Sequence, residues 1–177
     1  VVFDNLVSLN ILQTFINGAL VAKNGKSSIS HVNISPVNRF DVNPITESEL
    51  IVEAVSNKMK VIEVIDGELI TRKLVTTPKV EDGHAVSDIS RDILKLVVVN
   101  RYRQQTPAIG FVKNIGLKRG ALAQSVAHDS HNVIAVGTND TDLSKAINAV
   151  INSKGGLAAV DADSEIILAL PVAGLMS

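Results

Sequence analysis

Two histidines three residues apart, His128 and His131, with Asp129 and Ser130 between them and Asn132 after, are the densest group of chemistry-bearing side chains in the sequence. An imidazole can ligate a metal or move a proton, and a carboxylate and an amide beside it can orient it or hydrogen-bond a ligand. The spacing limits these options. On a strand it sends the two rings to opposite faces, whereas a helix or a tight turn lets them converge. A zinc motif of the His-Glu-x-x-His kind needs four-residue spacing and a glutamate, and neither is present. A Ser-His-Asp reading with Ser125 or Ser130 as nucleophile lacks the Gly-x-Ser-x-Gly elbow. The alternative is a packed loop in which Asp, Ser and Asn bond neighbouring backbone, as these residues commonly do. Lys118-Arg119-Gly120 after Gly116 could offer two cations to an anion, but no phosphate-loop pattern surrounds them, and the pattern favours a solvated surface turn. His31 and His84 stand alone, Glu81-Asp82-Gly83-His84 reads as an exposed turn, and no two acids sit in a setting that suggests paired acid and base work.

These residues need elements to position them. Asn17-Gly18 between apolar runs is a hairpin signal, because both residues tolerate the positive φ of a tight type I′ turn. A polar, irregular stretch from Ser27 to Asn43 reads as a linker. Thr46-Glu47-Ser48-Glu49, followed by Leu50, Ile51, Ala54 and Val55, predicts a short capped helix. A second hairpin is expected around Asp66-Gly67, then a buried strand over Ile93 to Val99 and a shorter one over Ile109 to Val112. Residues 117–126 fit strand or helix equally. The cluster at His128 empties into a strand over Val133 to Val136. Leu143, Ala146, Ile147, Val150 and Ile151 then share one helical face, capped by Asp140 or Thr141. Gly155-Gly156 suit a left-handed helix terminus, and paired strands follow over Leu157 to Val160 and Ile166 to Leu170. The expectation is an α+β fold, a mixed β-sheet with few helices. The opening hairpin, too small to bury its own apolar face, belongs to a further β-layer.

Composition excludes several classes. Apolar residues make up 46% of the chain but aromatics only 3%, so the core is aliphatic and the rings needed for stacking single-stranded nucleic acid are absent. The 17 basic and 18 acidic residues nearly balance, with no long run of either sign, so no nucleic-acid partner is expected. With no cysteine, a disulfide scaffold and a thiolate metal site are both ruled out, and a cytoplasmic location is the default expectation. No apolar run approaches the length that crosses a bilayer as a helix, so no membrane partner is expected.

The stretch from Gly110 to Ala121 (GFVKNIGLKRGA), continuing through Ser125 to Asn132 (SVAHDSHN) and Val136 to Asp140 (VGTND), resembles the C-terminal domain of adenine deaminases in the amidohydrolase superfamily. Lys95 to Arg101 (KLVVVNR), Gly155-Gly156, Leu170-Pro171 and Ala173 to Ser177 match as well. The opening hairpin is similar to the segment where amidohydrolases return to a small β-sandwich after their (β/α)8 barrel. The resemblance implies three parts: 1–26 as the end of that sandwich, 27–58 as an irregular segment with a short helix, and 59–177 as the C-terminal α+β domain. It implies hydrolysis of adenine to hypoxanthine and ammonia by metal-activated hydroxide in a full-length enzyme. The binuclear divalent metal, manganese or iron, would be held by ligands upstream of Val1, so this piece is expected to be inactive alone and to carry neither metal nor catalytic residue. What the resemblance carries over is a substrate-pocket role for His128, Asp129, Ser130, His131 and Asn132, with Lys118 and Arg119. The expected partners are the barrel of the same chain and adenine, with a homo-oligomer left open. A noncatalytic module that braces the barrel or joins subunits is the competing expectation, and a free-standing purine sensor the third.

Overall fold

The computed structural model describes residues 1–30, 35 and 37–177, which form two compact units, Val1–Ser35 and Pro36–Ser177. His31 and part of the expected linker lie outside the described residues. Four short antiparallel strands in order make up the first unit: β1 (Val2–Phe3), β2 (Ile11–Ile16), β3 (Ala19–Lys23) and β4 (Lys26–Ser27). Asn17 and Gly18 turn β2 into β3 with φ of 49° and 79°, and Asn24-Gly25 repeats the device before β4 with 49° and 76°. The hairpin is therefore where the Asn-Gly signal put it, and both turns match the right-handed twist of the flanking strands. None of the described residues of this unit is buried, so its apolar side chains have no core of their own.

An eight-stranded sheet organises the second unit. Its members are β5 (Met59–Val64), β6 (Thr71–Thr76), β9 (Ile93–Val99), β10 (Ala108–Lys113), β11 (Ala121–Gln124), β12 (Val133–Gly137), β13 (Gly156–Val160) and β14 (Glu165–Ala169), in the order β14-β13-β11-β12-β9-β10-β5-β6. A separate hairpin pairs β7 (Lys79–Glu81) with β8 (His84–Val86) across Asp82-Gly83. All neighbours in the large sheet are antiparallel except β10 with β5, so the sheet is mixed, as expected. The undecided segment 117–126 resolves as strand β11, because the space between β12 and β13 offers ladder partners on both sides.

One face of this sheet is covered. The helix α1 (Asp140–Asn152) lays Leu143, Ala146, Ile147, Val150 and Ile151 on Val97, Val99, Ala121, Ala123, Val133, Ala135, Ala158 and Val160. Five buried aliphatic side chains contribute roughly 1.5–3 kcal/mol each, apart from the smaller alanine. Gly137 lets the helix sit close, since a Cβ there would lie 2.6 Å from Leu143 Cγ. The helix N-cap is Asn139, whose Oδ1 accepts from the Asp142 N–H at 2.8 Å, rather than the expected Asp140 or Thr141. Asp140 is unavailable for capping because its carboxylate is bound to Lys95. At the other end Lys154 adopts the left-handed conformation (φ 58°), while Gly155 and Gly156 are required by close backbone: a Cβ on either would overlap Gly174 or Leu168.

Most described residues of the stretch expected to be a linker, 27–43, are exposed, but Phe40 and Val42 join the core. Phe40, Val42 and Ile45 are buried beside α1 without regular secondary structure, and Asn148 clasps Ile45 by donating to its carbonyl at 2.9 Å and accepting from its N–H at 2.8 Å. The helix expected at Thr46 is a single 3-10 turn, Glu47–Leu50, started by the Thr46 N–H donating to Glu49 Oε2 at 2.8 Å.

Asp88 heads another 3-10 turn, Ile89–Arg91, and accepts from the Ser90 hydroxyl, the Arg91 guanidinium and two backbone N–H groups. These bonds, the Ser90 hydroxyl first and Arg91 next, hold its carboxyl down to about 2 from the usual 3.8, against the opposing effect of burial. A depressed carboxyl pKa stabilises the fold fully above the unfolded value and loses that contribution as pH falls through the folded one. Acid unfolding should therefore draw on Asp88 between about pH 4 and pH 2, and Asp88→Asn should flatten the stability profile in that window when urea midpoints are measured at successive pH values.

Candidate functional site

The 128–132 loop sits where β9 ends and β12 begins. Val133 pairs with Val99, so the loop leads into β12 at the end of the ladder where β9 gives way to Asn100 and Arg101. Arg101 is 4% exposed, yet among the described residues no carboxylate pairs with it. Its guanidinium lies 4.8 Å from the ring centres of both Phe40 and Tyr102, donates from Nη2 to the Ala173 carbonyl at 2.8 Å and to Tyr102 Oη at 3.1 Å, and from Nη1 to Asn38 Oδ1 at 3.3 Å. Two aromatic faces and neutral oxygens thus replace a counter-ion. Asn38 in turn donates to the carbonyls of Lys154 and Pro171. Ser125, fully buried, donates to Gly174 O at 2.5 Å and accepts from Gly156 N at 2.9 Å. Gly174 suits its left-handed backbone (φ 73°), and a Cβ there would push Arg101 Nη1 out of its place. One corner thereby joins the ends of β9 and β11, the start of β13, the 38–42 segment and the C-terminal turn.

The loop attaches to this corner through Tyr102, whose hydroxyl donates to the Ser130 carbonyl at 3.2 Å. It closes on itself by the His131 N–H donating to Ala127 O at 2.6 Å, with His131 in the left-handed region at φ 51°. The expected pocket residues separate into two groups. His128 and Asp129 stand in solvent, 86% and 87% exposed, paired through Nδ1 and Oδ1, and Ser130 is exposed too. His131 and Asn132 are half-buried. The two imidazole rings meet edge to face with centres 6.2 Å apart.

Among the described residues, three buried side-chain atoms have no hydrogen-bond partner: Arg101 Nε, His131 Nδ1 and Asn132 Oδ1. All three belong to this corner. Buried polar atoms are satisfied in the great majority of cases, and an unsatisfied one costs about 1–3 kcal/mol, so their concentration marks a place where a partner group is wanted. Lys118 and Arg119 do not join it. They precede β11 at the end where Ala121 pairs with Gly137, whereas the loop adjoins the other end, roughly 15–20 Å away at 3.4 Å per strand residue. Arg119 is engaged there, with Nε 3.2 Å from Asp161 Oδ2. Asp161 is held below the usual carboxylate range chiefly by the N–H of Asp163 and the Ser164 hydroxyl, and less by Arg119. That turn is a structural unit of its own, and the two cations offered by the sequence are not brought to the histidines.

No group of three or more His, Asp or Glu side chains converges on a common point among the described residues. Among the described residues His128 and His131, with Asp129 beside them, do not make a donor set for a binuclear metal. No helix among the described residues is long and apolar enough to cross a membrane.

Opposite α1, the sheet presents a second feature. Leu96, Leu122, Ile134, Val136, Leu157, Ile166 and Leu168 line an uncovered concavity of about 710 Å³, with Gln124 its one polar contributor. Tyr102, which tethers the loop, and Arg101 beside it are not among the site residues expected from sequence, although an Arg-Tyr pair just past a buried strand is a readable signal. So is Lys95 inside an otherwise aliphatic run.

The adenine deaminase C-terminal domain family matches residues 68–177, a range that takes in β6 through β14 and α1. Over its whole length the chain is 48% identical to an adenine deaminase of Salinibacter ruber, 44% to one of Methanosarcina mazei and 38% to one of Borreliella burgdorferi. It spans 32%, 34% and 32% of their lengths, about a third of each relative. With seven of the eight strands of the large sheet, the helix and the histidine loop inside the matched range, this chain belongs to the adenine deaminase C-terminal domain family.

Proposed function

We propose that this chain serves as the C-terminal portion of an adenine deaminase, in which adenine is hydrolysed to hypoxanthine and ammonia, and that its own residues complete the purine pocket without performing the chemistry. Similarity to adenine deaminases over the full chain supports the activity. The observation that carries the pocket role is the unpartnered pair His131 Nδ1 and Asn132 Oδ1 in one loop. A purine edge presents both N–H donors and ring-nitrogen acceptors, which suit an imidazole and an amide. Both atoms are covered in this conformation, so a base meets them only when the loop turns outward. A binuclear divalent metal, manganese or iron, would supply the hydroxide from elsewhere in the enzyme, and the cytoplasm is the compartment this reading assigns.

In a full-length enzyme carrying this domain, His131→Ala with Asn132→Ala should raise the KM for adenine about tenfold, equivalent to roughly 1.4 kcal/mol of binding, with kcat changing much less. Lys118→Ala should leave both constants alone. Kinetics unchanged by the loop double variant would overturn the pocket role and favour the second reading, a noncatalytic module bracing the rest of the enzyme. That reading has its own support in the uncovered apolar sheet face, since faces of this kind mark contact sites.

A further inference from the structure

The large sheet has two edges, β6 and β14, and they are built differently. β6 carries Arg72 and Lys73, both exposed, the charged side chains with which sheets discourage further pairing. β14 reads Glu-Ile-Ile-Leu-Ala, with no lysine, arginine, proline or bulge, and Ile166, Ile167 and Leu168 are 69%, 39% and 58% exposed. Its backbone bonding is determined by β13. Asp161 N donates to Ser164 O and Leu170 N donates to Gly155 O, both at 2.9 Å. With the register Leu157 to Leu168 and Ala159 to Ile166, the N–H and C=O groups of Ile166 and Leu168 point into the sheet. Those of Glu165, Ile167 and Ala169 point outward, and no described strand pairs with them.

We infer that β14 is a pairing edge for β14 of a second copy of this chain, the two strands running antiparallel about a two-fold axis at Ile167. Such an axis sets Ile167 against Ile167 of the second copy and Glu165 against Ala169, so that every outward N–H and C=O of the three residues finds a partner. A slip of two residues either way pairs only two of the three, and a slip of one sets outward groups against inward ones. Ile166 then stands directly across from Leu168 of the second copy on the open face, an apolar cross-strand pair. No like charges meet, because the strand's single charge, Glu165, faces alanine. The uncovered concavity, lined by the same Ile166 and Leu168, runs on without a break into its symmetry mate, so the joined sheets present one continuous apolar face. A closed two-fold arrangement uses up this edge and leaves β6, already guarded, as the outer border.

The absence of cysteine makes the geometry directly testable on the 177-residue chain. Facing residues of a hydrogen-bonded antiparallel pair have Cα atoms about 5.5 Å apart, inside the range a disulfide spans. Ile167→Cys should therefore oxidise to a covalent dimer in high yield, while Lys73→Cys on the opposite edge should not. In sedimentation equilibrium at tens of micromolar, the unmodified chain should be dimeric. Ile167→Lys, which sets two ammonium groups face to face, and Ile167→Pro, which deletes an outward N–H without touching the β13 ladder, should both be monomeric with unchanged far-ultraviolet circular dichroism. If the proline variant unfolds, the lysine variant and the cross-link decide. A monomeric parent chain, a dimer that survives Ile167→Lys, or equal cross-linking from both edges would overturn the inference.

Discussion

Replacing Asp140 with alanine is expected to destabilise the second unit by about 3–5 kcal/mol, while replacing its partner Lys95 with methionine should cost less than about 1 kcal/mol. Lys95 is 2% exposed, in the middle of β9. Its ammonium spends all three donors, on Asp140 Oδ1 at 2.6 Å, Asp140 Oδ2 at 2.8 Å and the Leu50 carbonyl at 2.8 Å. Removing the carboxylate strands a cation among aliphatic side chains with one neutral acceptor. Deleting the lysine instead leaves Asp140 in the first turn of α1, where the carboxylate is partly open to water and favoured by the helix dipole. Methionine fills most of the vacated volume without burying a polar atom. Asp140→Asn should fall between the two, because its single amide oxygen keeps one of the two hydrogen bonds from Lys95 while the charge is lost. Urea midpoints for the three variants measure the asymmetry directly. Equal losses from Asp140→Ala and Lys95→Met would show that the pair acts through packing alone.

The second large effect is expected at Arg101. Arg101→Ala should cost about 3 kcal/mol, from the half-buried Ala173 carbonyl left without its donor and from the gap opened beside Phe40 and Tyr102. Arg101→Lys should recover little of this, because an ammonium can neither lie flat between two rings nor reach three oxygens in one plane. Tyr102 provides a built-in reporter, since the chain has one tyrosine and no tryptophan. In Arg101→Ala the tyrosine emission should change before global unfolding as urea rises, because the tether from Tyr102 to Ser130 loosens with the guanidinium gone. Tyrosine emission and circular dichroism that stay coincident in this variant would mean that the corner unfolds only with the whole sheet. The same loosening would free the histidine loop, so in a full-length enzyme Arg101→Ala should act on the same kinetic constant as the loop variants.

Local signals were legible wherever one short segment contained all of the cause. Asn17-Gly18 became a tight turn because two adjacent residues tolerate positive φ, and the helix face from Leu143 to Ile151 packed as its spacing required. The strand over residues 93–99 was readable from its short apolar run weighted toward β-branched residues. The cap of α1 was misplaced by one or two residues, because the sequence does not show that Asp140 is claimed by Lys95. Residues 27–43 read as linker from their polar, irregular composition, yet Phe40 and Val42 within them are buried, since a helix and a sheet end supply the partners that the local pattern lacks.

Of the candidate site, the sequence by itself determined the residue types and their grouping: an imidazole and an amide adjacent in one loop, a pair of cations in another, and a family likeness spanning both. Only the tertiary structure decided which of them share a place. The antiparallel register of β11 sets Lys118 and Arg119 at one end of the sheet and His131 and Asn132 at the other, next to an arginine held between two rings. Strand order and register arise from ladder pairing between distant segments, and that pairing is cooperative across the whole sheet, so no window of neighbouring residues carries it.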